Sequence, residues 1–397
     1  MEGWLRADGR KGIRNTVVGA YLVECAHFVA SEIVAGFRGR DVQLIGFPGC
    51  FPNEYAARMM ERLCTHPNVG AVLFVSPGCE SFDKVRASAA VEASGRPVKT
   101  LVIQKAGGTR ATVKAGQDSV EGALAEVARV PRLPMAVGDL VIGTVCGGSD
   151  GTSGISGNPA AGRASDLLVA EGAACVFEET GELIGCEEIM ASRAITLELG
   201  QALRESVQKA ERYYATLGYG SFAAGNAAGG LSNIEEKSLG ACVKTGDSPI
   251  SGRIKPGEIP PCGGLYLMDV VPDGEVRFGF PNISDNAEIV EMIASGAYLT
   301  LFVTGRGSVV GSAISPVIKI CANPDTYRAL AEDMDIDAGD IIEGRRSIDA
   351  VGHEIRDLVV AVAGGQQTAS EALGHREFIL TYKSFDPIGP ACLPRLA

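Results

Sequence analysis

The chain has 397 residues with 36 basic and 48 acidic side chains, a formal charge of −12; 46% of residues are hydrophobic and 21% charged. At ~150 residues per domain this length suits two or three domains with full cores, and the composition excludes a disordered or fibrous chain. An acidic balance without a basic block argues against nucleic acid or an anionic membrane as partner.

The longest apolar runs, such as Val69 to Ser76 and Leu358 to Ala363, fall far short of the ~20 residues that a membrane span needs. The N-terminal Met1-Glu2-Gly3-Trp4-Leu5-Arg6 has no apolar core of a signal peptide, so the cytoplasm is the expected compartment. The 11 cysteines are odd in number and spread over a long chain. In a reducing compartment they read as core filler, metal ligands or reactive thiols, not a disulfide framework.

Taken in chain order, apolar runs alternate with amphipathic segments. Strands are predicted at Val17 to Val23, Val42 to Phe47, Ala71 to Ser76 and Val98 to Ile103. Helices follow them at Ala26 to Phe37, Asn53 to Cys64, Ser81 to Ser94 and Thr109 to Ala128. Continuous apolar strands between helical patterns indicate a parallel sheet buried on both faces. Val130-Pro131-Arg132-Leu133-Pro134 breaks the rhythm and reads as an interdomain link. A second region starts with a strand at Leu140 to Val145, with further strands at Ala174 to Phe177, Leu265 to Val271, Tyr298 to Val303, Val317 to Cys321 and Phe378 to Tyr382. Long helices are expected at Leu183 to Leu217 and Ile348 to Val362. The expected fold is α/β, with two doubly wound, Rossmann- or flavodoxin-like parallel-sheet domains. The first spans residues 1–134 and the second, larger one 135–397, with a Gly-rich insertion at about 218–264. An insertion of that length reads as a lid or ligand-binding segment.

In open α/β sheets ligands bind beyond the carboxyl ends of the strands. Cys25, Cys50, Cys79 and Cys146 all stand at or just after such ends, two of them in Pro-Gly-Cys turns. They are either small buried hydrophobes or converging soft-metal ligands, and thiolates suit iron, alone or in a cluster. No local CxxC spacing points to a zinc ribbon. The other cysteines (64, 175, 186, 242, 262, 321 and 392) read as core or surface.

Three glycine loops are candidate anion sites: Gly107-Gly108-Thr109-Arg110 before a helix; Gly147 to Gly157 with Ser149, Asp150, Thr152, Ser153 and Ser156; and Thr304-Gly305-Arg306-Gly307-Ser308. Arg306 can fork onto a carboxylate. The alternative for each is a tight turn needing positive φ. Gly218-x-Gly220-x-x-Ala223 follows a helix and is no dinucleotide fingerprint. Glu178-Glu179-Thr180-Gly181-Glu182 and Glu235-Glu236-Lys237-Ser238 offer carboxylates and a lysine for proton transfer, or else are solvated charge runs. No G-x-S-x-G elbow is present.

At these residues the sequence resembles the altronate dehydratase/galactarate dehydratase family. The resemblance rests on Gly3 to Asn15, on Cys146-Gly147-Gly148-Ser149-Asp150 with Ser153-Gly154 and Asn158-Pro159, on Gly229-Gly230 with Glu236 to Gly240, on Thr304 to Gly307 and on Asp335-x-Asp337-Ala338-Gly339. It runs from Gly3 to about Glu371 and implies iron-assisted loss of water from a sugar acid, giving a 2-keto-3-deoxy acid. One branch of the family removes sulfite from sulfolactate instead. It also implies that three of Cys25, Cys50, Cys79 and Cys146 hold iron (Fe²⁺ or an iron–sulfur cluster). Lys237 or Glu179 would move the proton and Arg306 would grip the carboxylate. Gly108, Thr109, Ser149, Asp150, Ser153, Asn158, Asn226, Gly305 and Gly307 would bind substrate. Ser81 and Ala227 depart from the family pattern, which usually has Asn and Lys there, and Met1 directly precedes the dehydratase motif, where many members begin with a small β-rich domain. The expected partners are a small hydroxy acid, further copies of the chain and, as an option, a separate small β-rich subunit. A non-catalytic acid sensor is the competing class.

Overall fold

The computed structural model describes residues 1–178, 180–216, 221–273 and 284–380. Its strands are β1 (Glu2–Leu5), β2 (Lys11–Gly12), β3 (Thr16–Tyr21), β4 (Val42–Gly46), β5 (Val69–Ser76), β6 (Val98–Val102), β7 (Arg132–Pro134), β8 (Val141–Cys146), β9 (Ala174–Phe177), β10 (Ile250–Ile254), β11 (Gly264–Met268), β12 (Leu299–Thr304), β13 (Val317–Cys321) and β14 (Ile336–Asp337). They form a four-stranded parallel sheet in the order β4-β3-β5-β6 and a seven-stranded parallel sheet in the order β10-β11-β9-β8-β12-β13-β14. The α/β, doubly wound expectation holds.

Side-chain alternation explains the layering. In the four-stranded sheet Val17, Ala71, Leu73 and Val75 face helices His27–Ala35 and Thr109–Val127 through Val29, Ile33 and Val120. Val18, Ala20, Val72 and Phe74 face the other way. Their cluster runs through Met59, Met60 and Leu63 of helix Glu54–Cys64 to Ile289, Met292 and Ile293 of helix Asp285–Ala294, and on to Val145 and Phe302 of the seven-stranded sheet. One apolar layer thus joins both sheets, while helices Gly157–Ala170 and Ile348–Ala363 cover the far face of the larger one.

Polar braces fix the joint. Buried Asn68 accepts from Ile13 N (3.0 Å) and donates to Tyr298 O (3.1 Å), Ile314 O (3.3 Å) and Ser315 Oγ (3.2 Å). Arg14 donates to both carboxylate oxygens of Glu371 and to the carbonyls of Val362 and Gln366.

Several local expectations change. The segment Val130 to Pro134 is no simple link: β7 pairs antiparallel with β1, which also pairs with β2. The long helix expected over Leu183 to Leu217 is broken into Thr180–Leu183, Glu187–Ser192 and Leu197–Thr216. Gly185 at φ +89° turns the chain between the first two, a conformation that glycine adopts at little cost. The insertion carries helices Ala224–Ala228 and Ile234–Cys242 and strand β10. Asn233 caps the second helix by accepting from Glu236 N at 2.8 Å, a signal that the glycine count obscured. Phe378 to Leu380 forms no strand, and the rest of that expected strand, Cys392, Gly218 and Gly220 lie outside the described residues.

Asn68→Ala strips four partners of a fully buried group. It is expected to lower unfolding stability by about 2–4 kcal/mol, read from urea midpoints; a change within error would show that the brace is dispensable.

Candidate functional site

The seven-stranded sheet starts at its middle. From β8 the chain moves to β9 on one side and later returns to β12 on the other. The loops leaving β8 and β12 therefore diverge, opening the crevice where such sheets bind ligands. Two of the sequence motifs meet there: Gly148 O accepts from Gly305 N (3.3 Å) and Arg306 N (2.9 Å). The approach needs glycine, since a Cβ on Gly305 would lie 2.0 Å from Asp150 Oδ1 and one on Gly147 2.0 Å from Asp285 Oδ2.

At the end of β8, buried Cys146 starts a chain of polar contacts. Lys244 Nζ donates to Cys146 Sγ (3.2 Å), the thiol donates to Glu182 Oε2 (3.1 Å), and Glu182 Oε1 pairs with Lys237 Nζ (2.6 Å). Lys237 also donates to Ser221 O (3.0 Å), and Ser149 Oγ reaches Cys146 Sγ at 3.6 Å. Burial, then the neighbouring Glu182 charge, push the Cys146 thiol up to about 12, so it stays protonated. Burial alone would lower the Lys237 ammonium, but its pairing with Glu182 overturns this and holds it above its ordinary range. In this geometry Lys237 is a cation paired with a carboxylate, and a lysine so bound keeps its proton.

Two carboxylate sets complete the group. Glu178, at the end of β9, is fully buried, and burial followed by the Glu288 charge raises it well above the usual carboxylate range. The two are hydrogen-bonded, as two carboxyls sharing one proton are. Asp285, at the start of its helix, is pushed up to about 6, by burial first and then by the Glu182 charge. The neighbouring Glu179 lies outside the described residues.

Beside this group lies a cavity of about 270 Å³ lined by Ser149, Asp150, Ser153, Asn158, Lys237 and Gly240, among others. It gathers five of the residues singled out in the sequence. Asn158 Nδ2 donates to Gly240 O (2.8 Å) and its buried Oδ1 has no partner among the described residues. Other expected ligands are braces. Asp150 accepts from Thr152 N (2.9 Å), Thr152 Oγ1 (2.5 Å) and Asn323 Nδ2 (3.0 Å). Asn226 uses both ends of its amide, on Ser149 O (3.0 Å) and Ala223 N (2.8 Å). Arg306 is exposed, with Nη1 on Gly225 O (2.9 Å); Gly307, at φ +89°, serves its turn.

The expectation of one shared thiol rim is corrected. Cys146 belongs to the seven-stranded sheet, whereas Cys25, Cys50 and Cys79 are exposed at the carboxyl ends of β3, β4 and β5 in the four-stranded one. These three loops do adjoin: Glu24 N donates to Pro48 O (3.2 Å) and Ser81 N to Cys50 O (3.0 Å). Gly108 and Thr109 stand on that smaller sheet too, at the start of an exposed helix. Among the described residues no three His, Cys, Asp or Glu side chains are placed to hold a metal ion. The Cys146 sulfur already faces the Lys244 ammonium. The donors as placed among the described residues do not fit iron.

Sequence reading missed Lys244, Asp285 and Glu288, which lie in no motif, and passed over Glu178 and Glu182 within a quoted acidic run.

Comparison with known proteins gives concordant matches. Residues 137–385 match the family described as D-galactarate/altronate dehydratase, C-terminal, and residues 3–128 the family described as D-galactarate dehydratase/altronate hydrolase, second domain. The chain is 32% identical over 397 residues to the (2R)-sulfolactate sulfo-lyase subunit beta of Chromohalobacter salexigens, covering 96% of each. It is 28% identical to the altronate dehydratase of Bacillus subtilis, covering 96% of this chain and 77% of that enzyme. It is 30% identical to the galactarate dehydratase (L-threo-forming) of Escherichia coli, over 78% of this chain and 59% of that enzyme.

Glu182→Gln leaves the Lys237 ammonium buried without its counter-charge and is expected to cost about 3 kcal/mol of stability in urea unfolding. Adding Lys237→Met to that variant should restore part of the loss; equal stability of the single and double variants would mean that the pair is not coupled.

Proposed function

We propose that this chain, which belongs to the D-galactarate/altronate dehydratase family, is a hydro-lyase that removes water from a 2,3-dihydroxy sugar acid to give a 2-keto-3-deoxy acid. The observation that carries the reading is the buried Lys244–Cys146–Glu182–Lys237 chain beside Asp285, at the crevice of the larger sheet. The names of the dehydratase relatives support the same chemistry.

The elimination breaks the C2–H and C3–O bonds and forms a C2=C3 double bond. Its difficulty is the weak acidity of a proton next to a carboxylate, because charge builds on that carboxylate as the proton leaves. Lys237 lines the cavity as a fixed cation and suits the substrate carboxylate, where it stabilises the developing enolate. Asp285, with its raised pKa of about 6, is ionised at neutral pH yet basic enough to take the C2 proton. The Glu178–Glu288 pair keeps a proton available for the departing C3 hydroxyl, which leaves as water. The resulting enol then becomes the 2-keto acid by proton return to C3. Asn158 Oδ1 and the hydroxyls of Ser149 and Ser153 suit the sugar hydroxyls.

A second reading has its own support. The end-to-end match with the sulfo-lyase subunit favours sulfite as the leaving group on the same residues. Since that relative is named as a subunit, the reading includes a partner chain.

The test is release of 2-keto acid and of sulfite across a panel containing altronate, galactarate and sulfolactate. Acids that raise the melting temperature without any turnover would defeat both readings and favour a sensor. Because Asp285 must be ionised to act, kcat/KM is expected to rise as pH passes about 6 and to level off above it. Asp285→Asn should lower kcat by about 10²–10⁴-fold and abolish that limb; an unchanged limb would remove Asp285 from the proposal.

A further inference from the structure

Lys319 stands in the middle of β13, far from the proposed chemistry. Its strand neighbours Ile318 and Ile320 pack toward the far helices, so its own side chain turns with Val317 to the opposite face. That side chain is fully buried, yet among the described residues no carboxylate lies within ion-pair distance of its ammonium. It faces a ring nitrogen instead, His375 Nδ1 at 3.3 Å. Buried Lys237, by contrast, faces the Glu182 carboxylate.

His375 opens a segment that crosses from the larger sheet to the smaller one. Gly374, at φ +81°, turns the chain out of helix Ala369–Leu373. Glu377 Oε2 then accepts from Gly311 N (2.7 Å), and a Cβ on Gly311 would lie 2.4 Å from His375 O. Leu380 reaches the apolar cluster that holds Ile45 and Phe47, and Phe378 packs against the same cluster. Arg376 and Phe378 also line, with Gln43 and Ile45, a cavity of about 250 Å³ beside the edge strand β4. Gly311 lies on the chain that leaves β12 through Gly305 and Arg306, so the segment steadies a loop of the candidate site.

An ammonium only donates, so the ring nitrogen that faces it must accept and carry no proton. The His375 ring is then neutral, with its proton on Nε2, 3.9 Å from Asp333 Oδ1. A second proton on the ring would replace the acceptor by a donor and set two positive charges face to face. The carboxylates around the pair are Asp333 beside β13, Asp335 just before β14, Glu377 on the segment and Glu371 on the preceding helix. Three of them are engaged elsewhere: Asp335 accepts from Lys319 N and Ala369 N (2.8 Å each), Glu377 from Gly311 N and Glu371 from Arg14. Burial already lowers the Lys319 ammonium, and the Asp333, Asp335 and Glu377 charges offset only part of this. We infer that residues 375–380 form a strap that opens in acid: a neutral His375 seats it on Lys319, and protonation of the ring lifts it off. The seated strap binds fewer protons than the open one. Closure is therefore complete toward about pH 8 and weakens as pH falls toward about 5, the range in which histidines change charge.

The test is amide exchange of the full-length chain at about pH 7.5 and about pH 5.5, corrected for the intrinsic pH dependence of exchange. On acidification, residues 305–316 and 369–380 are expected to exchange about tenfold faster, while β3 keeps its rate. His375→Gln, whose side-chain oxygen can accept from Lys319 but takes no proton, should exchange slowly at both values. Equal corrected rates in the wild-type chain, or acid acceleration kept in His375→Gln, would overturn the inference. Acceleration that extends equally to β3 would mean acid unfolding and overturn it as well. If the variant does not fold, the wild-type comparison between the strap and β3 decides alone. None of these readouts uses turnover, so the outcome is independent of the proposed activity.

Discussion

The constraint on which the site depends is a chain of charge buried away from water. Lys244, Cys146, Glu182 and Lys237 alternate donor and acceptor, so each ion faces a partner at hydrogen-bond distance. Taking such ions out of water costs several kcal/mol each, and the cost is offset only where geometry and hydrogen bonds are good. Replacing such buried ion pairs by well-packed apolar side chains is often neutral or stabilising in proteins. The presence of this set is better explained by the proposed chemistry: it holds an ammonium beside the cavity in which the proposed substrate carboxylate would dock.

Topology makes that chain possible. The strand order of the larger sheet brings β8 and β12 side by side with their outgoing loops diverging, and glycines let the two loops and the neighbouring carboxylates approach. Gly147 and Gly305 leave room for Asp285 and Asp150 respectively, at distances that any Cβ would forbid. Many polar residues of these motifs then act on the backbone: Asp150 and Asn226 hold the loops that carry the proposed site. Residues held this way act through position, and their loss would misplace Lys237 and Ser149 without removing a reacting group.

How much the sequence disclosed follows from which forces are local. Apolar runs such as Val69–Ser76 and Leu299–Thr304 sit wholly in the core, and so betrayed themselves as parallel strands. Cys146 and Lys237 stood in recognisable motifs. Asp285 and Lys244 did not: their role comes from burial and from neighbours on other elements, which no spacing encodes. The glycine-rich insertion hid two helices because capping by Asn233 is a two-residue signal set among many glycines. The four cysteines at strand ends illustrate the opposite error. Equal position relative to a strand implies a shared rim only within one sheet, and two sheets supply two rims.

The N-terminal motif makes the same distinction between position and chemistry. Arg6 donates to Pro67 O (2.7 Å), Asn15 Oδ1 (2.8 Å) and Arg14 O (3.0 Å), while Asn15 Nδ2 donates to Val127 O (2.8 Å). Burial and the nearby Arg96 charge lower the Arg6 guanidinium to about 10, which still leaves it charged at neutral pH. Its donors are spent on backbone carbonyls and one amide, and Arg14 spans from the smaller sheet to Glu371. A run of basic and amide residues that would suit an anion site is thereby committed to joining the two sheets. The proposed reactive groups lie instead where the larger sheet divides, and the smaller sheet contributes by packing its Glu54–Cys64 helix against the helix that begins with Asp285. That contact ties the placement of the proposed base to the core shared by both sheets.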